Sequence, residues 1–213
     1  MTKDISEADL FMMCKEPNRQ AFSKLSKHYT FDLCRPDELE MWKAFPFDDE
    51  SLAIEYNGFM TTYFHDVYGG KEDLFYKQCV FVRNVTGKPV ATCFSWKAYK
   101  RITTIHWLKV KKEYENQGIG RALLSKILLD LGQEDYPVYL HTHPGSFRAI
   151  GLYSDFGFVF ITNDNVGHRE NGLYSSLPYL KQHMSEAYYN KISFTQAPPE
   201  FIKVVSSSDI HEF

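Results

Sequence analysis

The sequence predicts a mixed α/β (α+β) chain, with a mostly antiparallel central sheet flanked by helices. Two observations carry this class. First, residues 78–84 (QCVFVRN), 89–96 (PVATCFSW) and 101–110 (RITTIHWLKV) are rich in β-branched and aromatic side chains. Only short turns separate them, at Thr86-Gly87-Lys88 and near 98–100, so the three form an antiparallel meander. Second, residues 122–131 (ALLSKILLDL) switch to helical spacing, with Leu123, Leu124, Ile127, Leu128 and Leu131 on one face. The run 138–140 (VYL) is then a strand again, and a helical crossover after a meander makes the class mixed.

The other elements follow in chain order. Residues 1–28 read as partly helical, with Leu10, Phe11, Met13 and Cys14 apolar, and 29–34 as an edge strand. Pro36-Asp37-Glu38 opens a helix, because proline fixes φ at the first helical position and carboxylates favour the positive end of the dipole. Residues 49–68 form a second helical region, whose Tyr56, Phe59, Met60, Tyr63, Phe64 and Tyr68 give it an aromatic side suited to core packing. Residues 146–156 are helical, with Ala149, Ile150, Leu152, Tyr153 and Phe156 apolar; Gly157 stands at C′ and 158–161 form a strand. Residues 163–172 are polar and loop-like, and 177–190 are helical around Leu180, Met184 and Tyr188. Ala197-Pro198-Pro199 breaks the chain before 201–205, expected as a last strand, and Ser206-Ser207-Ser208 begins a polar tail of disordered composition. No repeat or long linker divides the chain. It is read as one domain over 1–213, with a motif-bearing core at about 78–162 and a carboxy-terminal extension at about 163–213.

A chain of 213 residues with 44% hydrophobic content can bury a substantial core. Its net charge of -3 offers no footprint for a polyanion, which argues against a nucleic-acid partner. Cys14, Cys34, Cys79 and Cys93 show no Cys-x-x-Cys spacing, a usage that suits a reducing cytoplasm. No apolar run approaches a membrane span and no start resembles a signal peptide, so a cytoplasmic protein without membrane attachment is expected.

The most informative stretch is Gln117-Gly118-Ile119-Gly120-Arg121-Ala122, a glycine loop between strand and helix. It leaves backbone N–H groups uncovered at a helix N-terminus, which carries about half a positive charge and is suited to phosphate. Two familiar nucleotide loops fit poorly. A P-loop needs Gly-Lys-Ser/Thr, whereas Arg121-Ala122 follow Gly120. The dinucleotide fingerprint wants a third glycine where Leu123 stands, and a loop directly after the strand.

Strand, spaced glycine loop, helix and strand are followed here by Ala149-x-x-x-Tyr153 and Gly157-Phe158. This order and spacing resembles the GNAT superfamily of acetyl-CoA-dependent N-acetyltransferases, over about 81–160. Two positions depart from the family pattern: Glu115 stands where Arg or Gln is usual, and Ser146 where Asn is frequent. A carboxylate beside a pyrophosphate is unfavourable, although backbone amides carry most of the family's contact.

The resemblance implies a central sheet splayed at the acyl-CoA site. Acetyl-CoA would be cosubstrate and an amine the acceptor, with the transfer running by direct attack in a ternary complex. The backbone at Leu108, Lys109 and Val110 would pair with the pantetheine arm as an added strand, and one of those amides would hold the thioester carbonyl. The pyrophosphate would rest on the amides of Asn116, Gln117, Gly118, Ile119, Gly120 and Arg121, with the Arg121 side chain adding positive charge. Ser146 would lie at the same cofactor site. Tyr153 occupies the position of the family's general acid, and a phenol can donate a proton to a departing thiolate. The amino-terminal helices would roof the acceptor site, bringing some aromatics, or Asp48, Asp49 and Glu50, to face the substrate.

His106 is a candidate base, placed by simple strand alternation on one face with Leu108 and Val110. His141 and His143 share a face at a strand end and are alternative bases or acceptor contacts. His-x-His with His106 on a neighbouring strand is also acceptable zinc geometry. No carboxylate or cysteine stands near them in sequence, however, and a metal hydrolase would leave the glycine loop unexplained, so no metal is expected. A catalytically silent module that binds acyl-CoA is the rival from another class. A sheet edge can also pair with a second copy, so a homodimer is compatible with the fold.

Overall fold

The computed structural model describes residues 4–213. From the amino end the chain forms β1 (Leu10–Cys14), β2 (Tyr29–Leu33), α1 (Leu39–Ala44), α2 (Glu50–Glu55), α3 (Asn57–Tyr68) and α4 (Glu72–Gln78). The meander β3 (Val80–Asn84), β4 (Pro89–Ala98) and β5 (Ile102–Val110) follows, then α5 (Ile119–Leu129), β6 (Val138–Thr142), α6 (Phe147–Asp155) and β7 (Val159–Ile161). A hairpin of β8 (Asn165–Val166) and β9 (Arg169–Glu170) precedes α7 (Leu173–His183), α8 (Glu186–Tyr189), β10 (Phe194–Thr195) and α9 (Pro199–Val205).

All strands but β8 and β9 join one sheet, in the order β10-β7-β1-β6-β5-β4-β3-β2. Only β5–β6 and β7–β10 pair in parallel. The mixed, mostly antiparallel class read from the sequence is therefore the observed one, with β2 as an edge strand. One face of the sheet packs against α5, α6 and α7, through Leu123, Leu124, Ile150, Phe156 and Leu180. The other carries α1, α3, α4 and α9, through Trp42, Phe64, Phe75 and Phe201. Trp42 meets Phe64, Tyr68 and Phe75 edge-on, with centroids at 6.0, 6.0 and 4.9 Å, the geometry in which aromatic quadrupoles attract. This cluster clamps α3 over the sheet. No helix among the described residues is long and apolar enough to cross a membrane.

Gly157 ends α6 as expected. At φ +91° it lets the Phe158 N–H reach the Tyr153 carbonyl and its own N–H reach that of Ser154, which satisfies the last carbonyls of the helix.

Three expectations are corrected. Residues 10–14 are a strand, and helical turns within 4–28 are confined to Ile5–Glu7 and Arg19–Ala21. Five consecutive apolar residues carry no period; Leu10, Met12 and Cys14 fill one core while Phe11 and Met13 fill the other, as in a strand buried on both faces. Residues 201–205 are helical, because Pro199 starts α9 and buried Phe201 and Val205 lie one turn apart; the last strand is the two-residue β10. The polar tail is tied down: the Tyr99 N–H donates to Glu212 Oε2 at 2.8 Å, the Glu212 N–H to Tyr99 Oη at 3.2 Å, and Phe213 is buried. Smaller differences are the β8–β9 hairpin inside 163–172 and the break between α7 and α8, where the Ser185 side chain caps the second helix.

Candidate active site

Strands β5 and β6 pair only at Thr103↔Val138 and Thr104↔Tyr139, yet run on to Val110 and Thr142. The sheet therefore opens into a wedge. A cavity of about 950 Å³ runs through it, lined on β5 by Ile105–Leu108, on β6 by His141 and Thr142, and on α6 by Ala149 and Tyr153. The unpaired flank of Leu108, Lys109 and Val110 borders the wedge, their other flank being held by β4.

A bulge shapes this opening. The β4–β5 register passes from Phe94↔His106 to Thr92↔Lys109, so Trp107 and Leu108 together oppose Cys93, with Trp107 at φ +54°. The extra residue inverts the alternation. Ile105, Leu108 and Val110 face the α5–α6 side, whereas His106 packs on Tyr68 and Phe94, and Trp107 on Trp42, on the α3 side. His106 thus does not share a face with Leu108 and Val110, which corrects that expectation.

Hydrogen bonds fix the His106 tautomer. Thr104 Oγ1–H donates to the Trp96 carbonyl at 3.1 Å, so this oxygen accepts from His106 Nε2–H at 2.8 Å. His106 Nδ1 then accepts from Tyr68 Oη–H at 2.6 Å, and Tyr68 Oη accepts from Trp107 Nε1–H at 3.2 Å. Burial drives the imidazole pKa down to about 3. The ring is a neutral, fully bonded strut between α3 and the bulge, with neither nitrogen left for a substrate proton. Tyr68, Thr104 and Trp107, which build this strut, carried no sequence motif.

At the glycine loop, Asn116 and Gly118 take φ +60° and +77°. The first intrahelical bond, Ala122 N–H to the Gly118 carbonyl, leaves the amides of Ile119, Gly120 and Arg121 without a helical acceptor. A Cβ on Gly120 would stand 3.4 Å from Val110 Cγ2 and 3.6 Å from Leu152 Cδ2, so the helix start is wedged between β5 and α6. Gln117 is tethered through Oε1, which accepts from Tyr29 Oη–H at 2.6 Å. The Arg121 guanidinium instead binds Asp155 at 2.6 Å and the Ala21 carbonyl at 3.2 Å, so its charge is committed there rather than offered to the loop. The unexpected Glu115 carboxylate is compensated by Arg148 of α6, at 2.8 Å across the cleft.

Tyr153 and Ser146 both line the cavity. The Tyr153 hydroxyl has no hydrogen-bond partner among the described residues, and burial pushes its pKa well above the ordinary phenol value. On the far side of the wedge, His141 Nε2–H donates to Asp9 Oδ1 at 2.7 Å, and His143 Nδ1–H to the Ala8 carbonyl at 3.2 Å. These bonds leave a lone pair on His141 Nδ1 and on His143 Nε2. Burial, opposed by the Asp9 bond, lowers the His141 pKa to about 4. Asp9, His141 and His143 place one ligand atom each within 4.8 Å of one another, a grouping that excludes His106. Arg169 Nη1 stands 3.9 Å from the same Asp9 oxygen, a positive charge unfavourable to a cation there. Register explains why Asp9 was missed: Leu10↔Thr142 sets it beside the end of β6, within reach of His141, 132 positions away in sequence. Asp48, Asp49 and Glu50 do not line the cavity; Asp48 accepts from Lys109 at 2.7 Å and Asp49 caps α2.

The sequence profile of the acetyltransferase (GNAT) family matches residues 32–158. Among solved structures, the chain is similar to an acetyltransferase from the GNAT family of Colwellia psychrerythraea, at 13% identity and TM-score 0.51, over 72% of this chain and 53% of that one. A GCN5-related N-acetyltransferase from Sphaerobacter thermophilus gives 17% identity and TM-score 0.45, over 64% and 43%. A GCN5-related N-acetyltransferase-like protein from Streptococcus suis gives 12% and 0.44, over 73% and 60%. The chain thus spans 43 to 60% of the lengths of these relatives. No curated protein matches it.

Proposed function

The chain belongs to the GNAT acetyltransferase family, and from that membership we propose that it moves an acetyl group from acetyl-CoA to an amine by direct attack in a ternary complex. One observation supports the proposal: the Tyr153 phenol lines the cavity where β5 and β6 part, and the start of α5 at Gly120 lies against Val110 of the unpaired β5 edge.

Acetyl-CoA suits these parts. Its pyrophosphate would take the amides of Asn116 to Arg121, with Arg148 a cation beside that loop, paired with Glu115. The pantetheine arm, an extended chain with amide groups, would complete the β5 ladder at Leu108, Lys109 and Val110. An N–H of that edge would hold the thioester oxygen as it gains charge. Tyr153, neutral because it is buried, would hand its proton to the departing thiolate.

For the incoming ammonium, the His106 nitrogens are both occupied, and a base there would have to break the strut that shapes the bulge. His143 is better suited. It lines the cavity, and its Nδ1–H bond to Ala8 leaves Nε2 as acceptor. His141, fixed by Asp9, stacks edge-on against it at 4.6 Å and sets its orientation.

Tyr153→Phe tests the reading. Turnover should fall by about a hundredfold while acetyl-CoA affinity changes little. Unchanged turnover refutes the role of Tyr153. Tight acetyl-CoA binding without turnover in the wild type, across all amine classes, supports the silent binding module instead.

A further inference from the structure

We propose that the acceptor is a primary amine carried on an aromatic skeleton without a carboxylate; this rests on the acetyl-transfer reading and names its substrate class. The first support is an aromatic path along one wall of the cavity. Phe47 stacks on Tyr56 at 5.4 Å, and Phe59 meets Tyr63 at 6.3 Å. Tyr63 contacts Trp107 edge-on at 5.3 Å. All five line the cavity, and the path ends at the bulge residue beside Leu108, where the thioester would lie. Phe59 is 59% and Tyr56 44% exposed. Single exposed aromatics are ordinary on a protein surface, whereas several bordering one concavity form a stacking surface for a ligand ring.

The second support is charge. Glu7, Asp66 and Asp209 line the same cavity, against one arginine and no lysine among the described residues. That arginine, Arg169, is held in place: it donates to the Phe213 carbonyl, faces Asp9 at 3.9 Å, and lies over the rings of Phe11 and Phe213 at 4.7 and 5.7 Å, while its Nε–H is buried without a partner among the described residues. An ammonium is drawn by the three carboxylates and by the aromatic faces. A carboxylate on the acceptor meets repulsion from the same three carboxylates, with the Arg169 charge already facing Asp9. With its ring on Tyr56 and Phe59, such an amine would point its nitrogen inward toward His143 and the wedge.

The test compares initial rates of CoA release for phenethylamine, tryptamine, hexylamine, spermidine, phenylalanine and a lysine-containing peptide, using the full chain. The expected kcat/KM for phenethylamine exceeds that of hexylamine by about tenfold and that of phenylalanine by about a hundredfold. Phe59→Ala, at an exposed position, should raise the phenethylamine KM about tenfold and leave the acetyl-CoA KM and Tm unchanged. Preference for spermidine, phenylalanine or the peptide overturns the aromatic assignment and leaves acetyl transfer standing. An unaltered KM in the variant overturns it too. If no amine is acetylated by a protein that calorimetry shows to bind acetyl-CoA, the transfer reading falls, and this assignment with it.

Discussion

The His106 strut makes the protein acid-labile in a way that one substitution isolates. The unfolded chain protonates this imidazole near its ordinary value of 6.5, whereas the folded protein resists until about 3. Above pH 6.5 the ring is neutral in both states and contributes no pH dependence. As pH falls below that value, only the unfolded state gains the proton, so stability is lost progressively until the folded pKa is reached. At about 1.4 kcal/mol per unit the whole window is worth about 5 kcal/mol, of which about 2 kcal/mol is gone by about pH 5. His141, with a folded value of about 4, adds a similar loss over the same upper range. Urea unfolding of wild type and His106→Asn, at about pH 7.5 and about pH 5, separates the two. The asparagine amide still offers Tyr68 an acceptor but does not titrate. The variant should be less stable at neutral pH, since the Thr104 bond is lost, and should lose about 2 kcal/mol less than wild type on acidification. Equal acid losses in the two proteins would refute the buried, neutral assignment of His106.

Other outcomes follow from single contacts. Tyr68→Phe removes the donor to His106 and the acceptor of Trp107 together, leaving two polar groups unpaired beside the bulge; the expected cost is about 1–3 kcal/mol in chemical denaturation. Glu115→Gln withdraws a carboxylate from the rim of the glycine loop and frees Arg148. Acetyl-CoA should bind about threefold more tightly by calorimetry, the gain shrinking in high salt because the pair is partly exposed. Gly157→Ala forces a Cβ onto φ +91° and within 3.1 Å of the Glu16 carbonyl, so unfolding should be easier by at least about 1–2 kcal/mol.

What could be read from the sequence was local. The meander, the glycine loop and α6 with its Gly157 cap each declare themselves within about a dozen residues, through period and turn chemistry. Tyr153 was singled out for the same reason, by its spacing from Ala149 and Gly157, and it lines the cavity. What escaped depends on distant partners. The face of His106 is set by a bulge whose hydrogen bonds come from Tyr68, 38 positions away, so alternation alone assigned the wrong side. Asp9 meets His141 only because β1 inserts between β6 and β7, and β1 itself has no period to reveal it. Arg121 and Arg148 exchange roles for a similar reason. Asp155 draws the first guanidinium away from the loop, while Glu115, unfavourable when read alone, brings the second toward it. The segment 201–205 misled because a short apolar run is ambiguous, and the buried Phe201–Val205 side, one helical turn long, decides it.

The most direct test of the account is an acetyl-CoA titration by calorimetry of the wild type and Gly120→Glu, with Tm checked for both. A Cβ on Gly120 would meet Val110 and Leu152 at 3.4 and 3.6 Å, ordinary contacts, so the variant can keep its fold while its carboxylate adds negative charge at the helix start where the pyrophosphate would rest. Binding in the micromolar range by wild type, abolished in a variant that remains folded, is the predicted result. Absence of acetyl-CoA binding by the wild type, or equal binding by both proteins, would contradict the assignment of the glycine loop and of acetyl transfer built upon it.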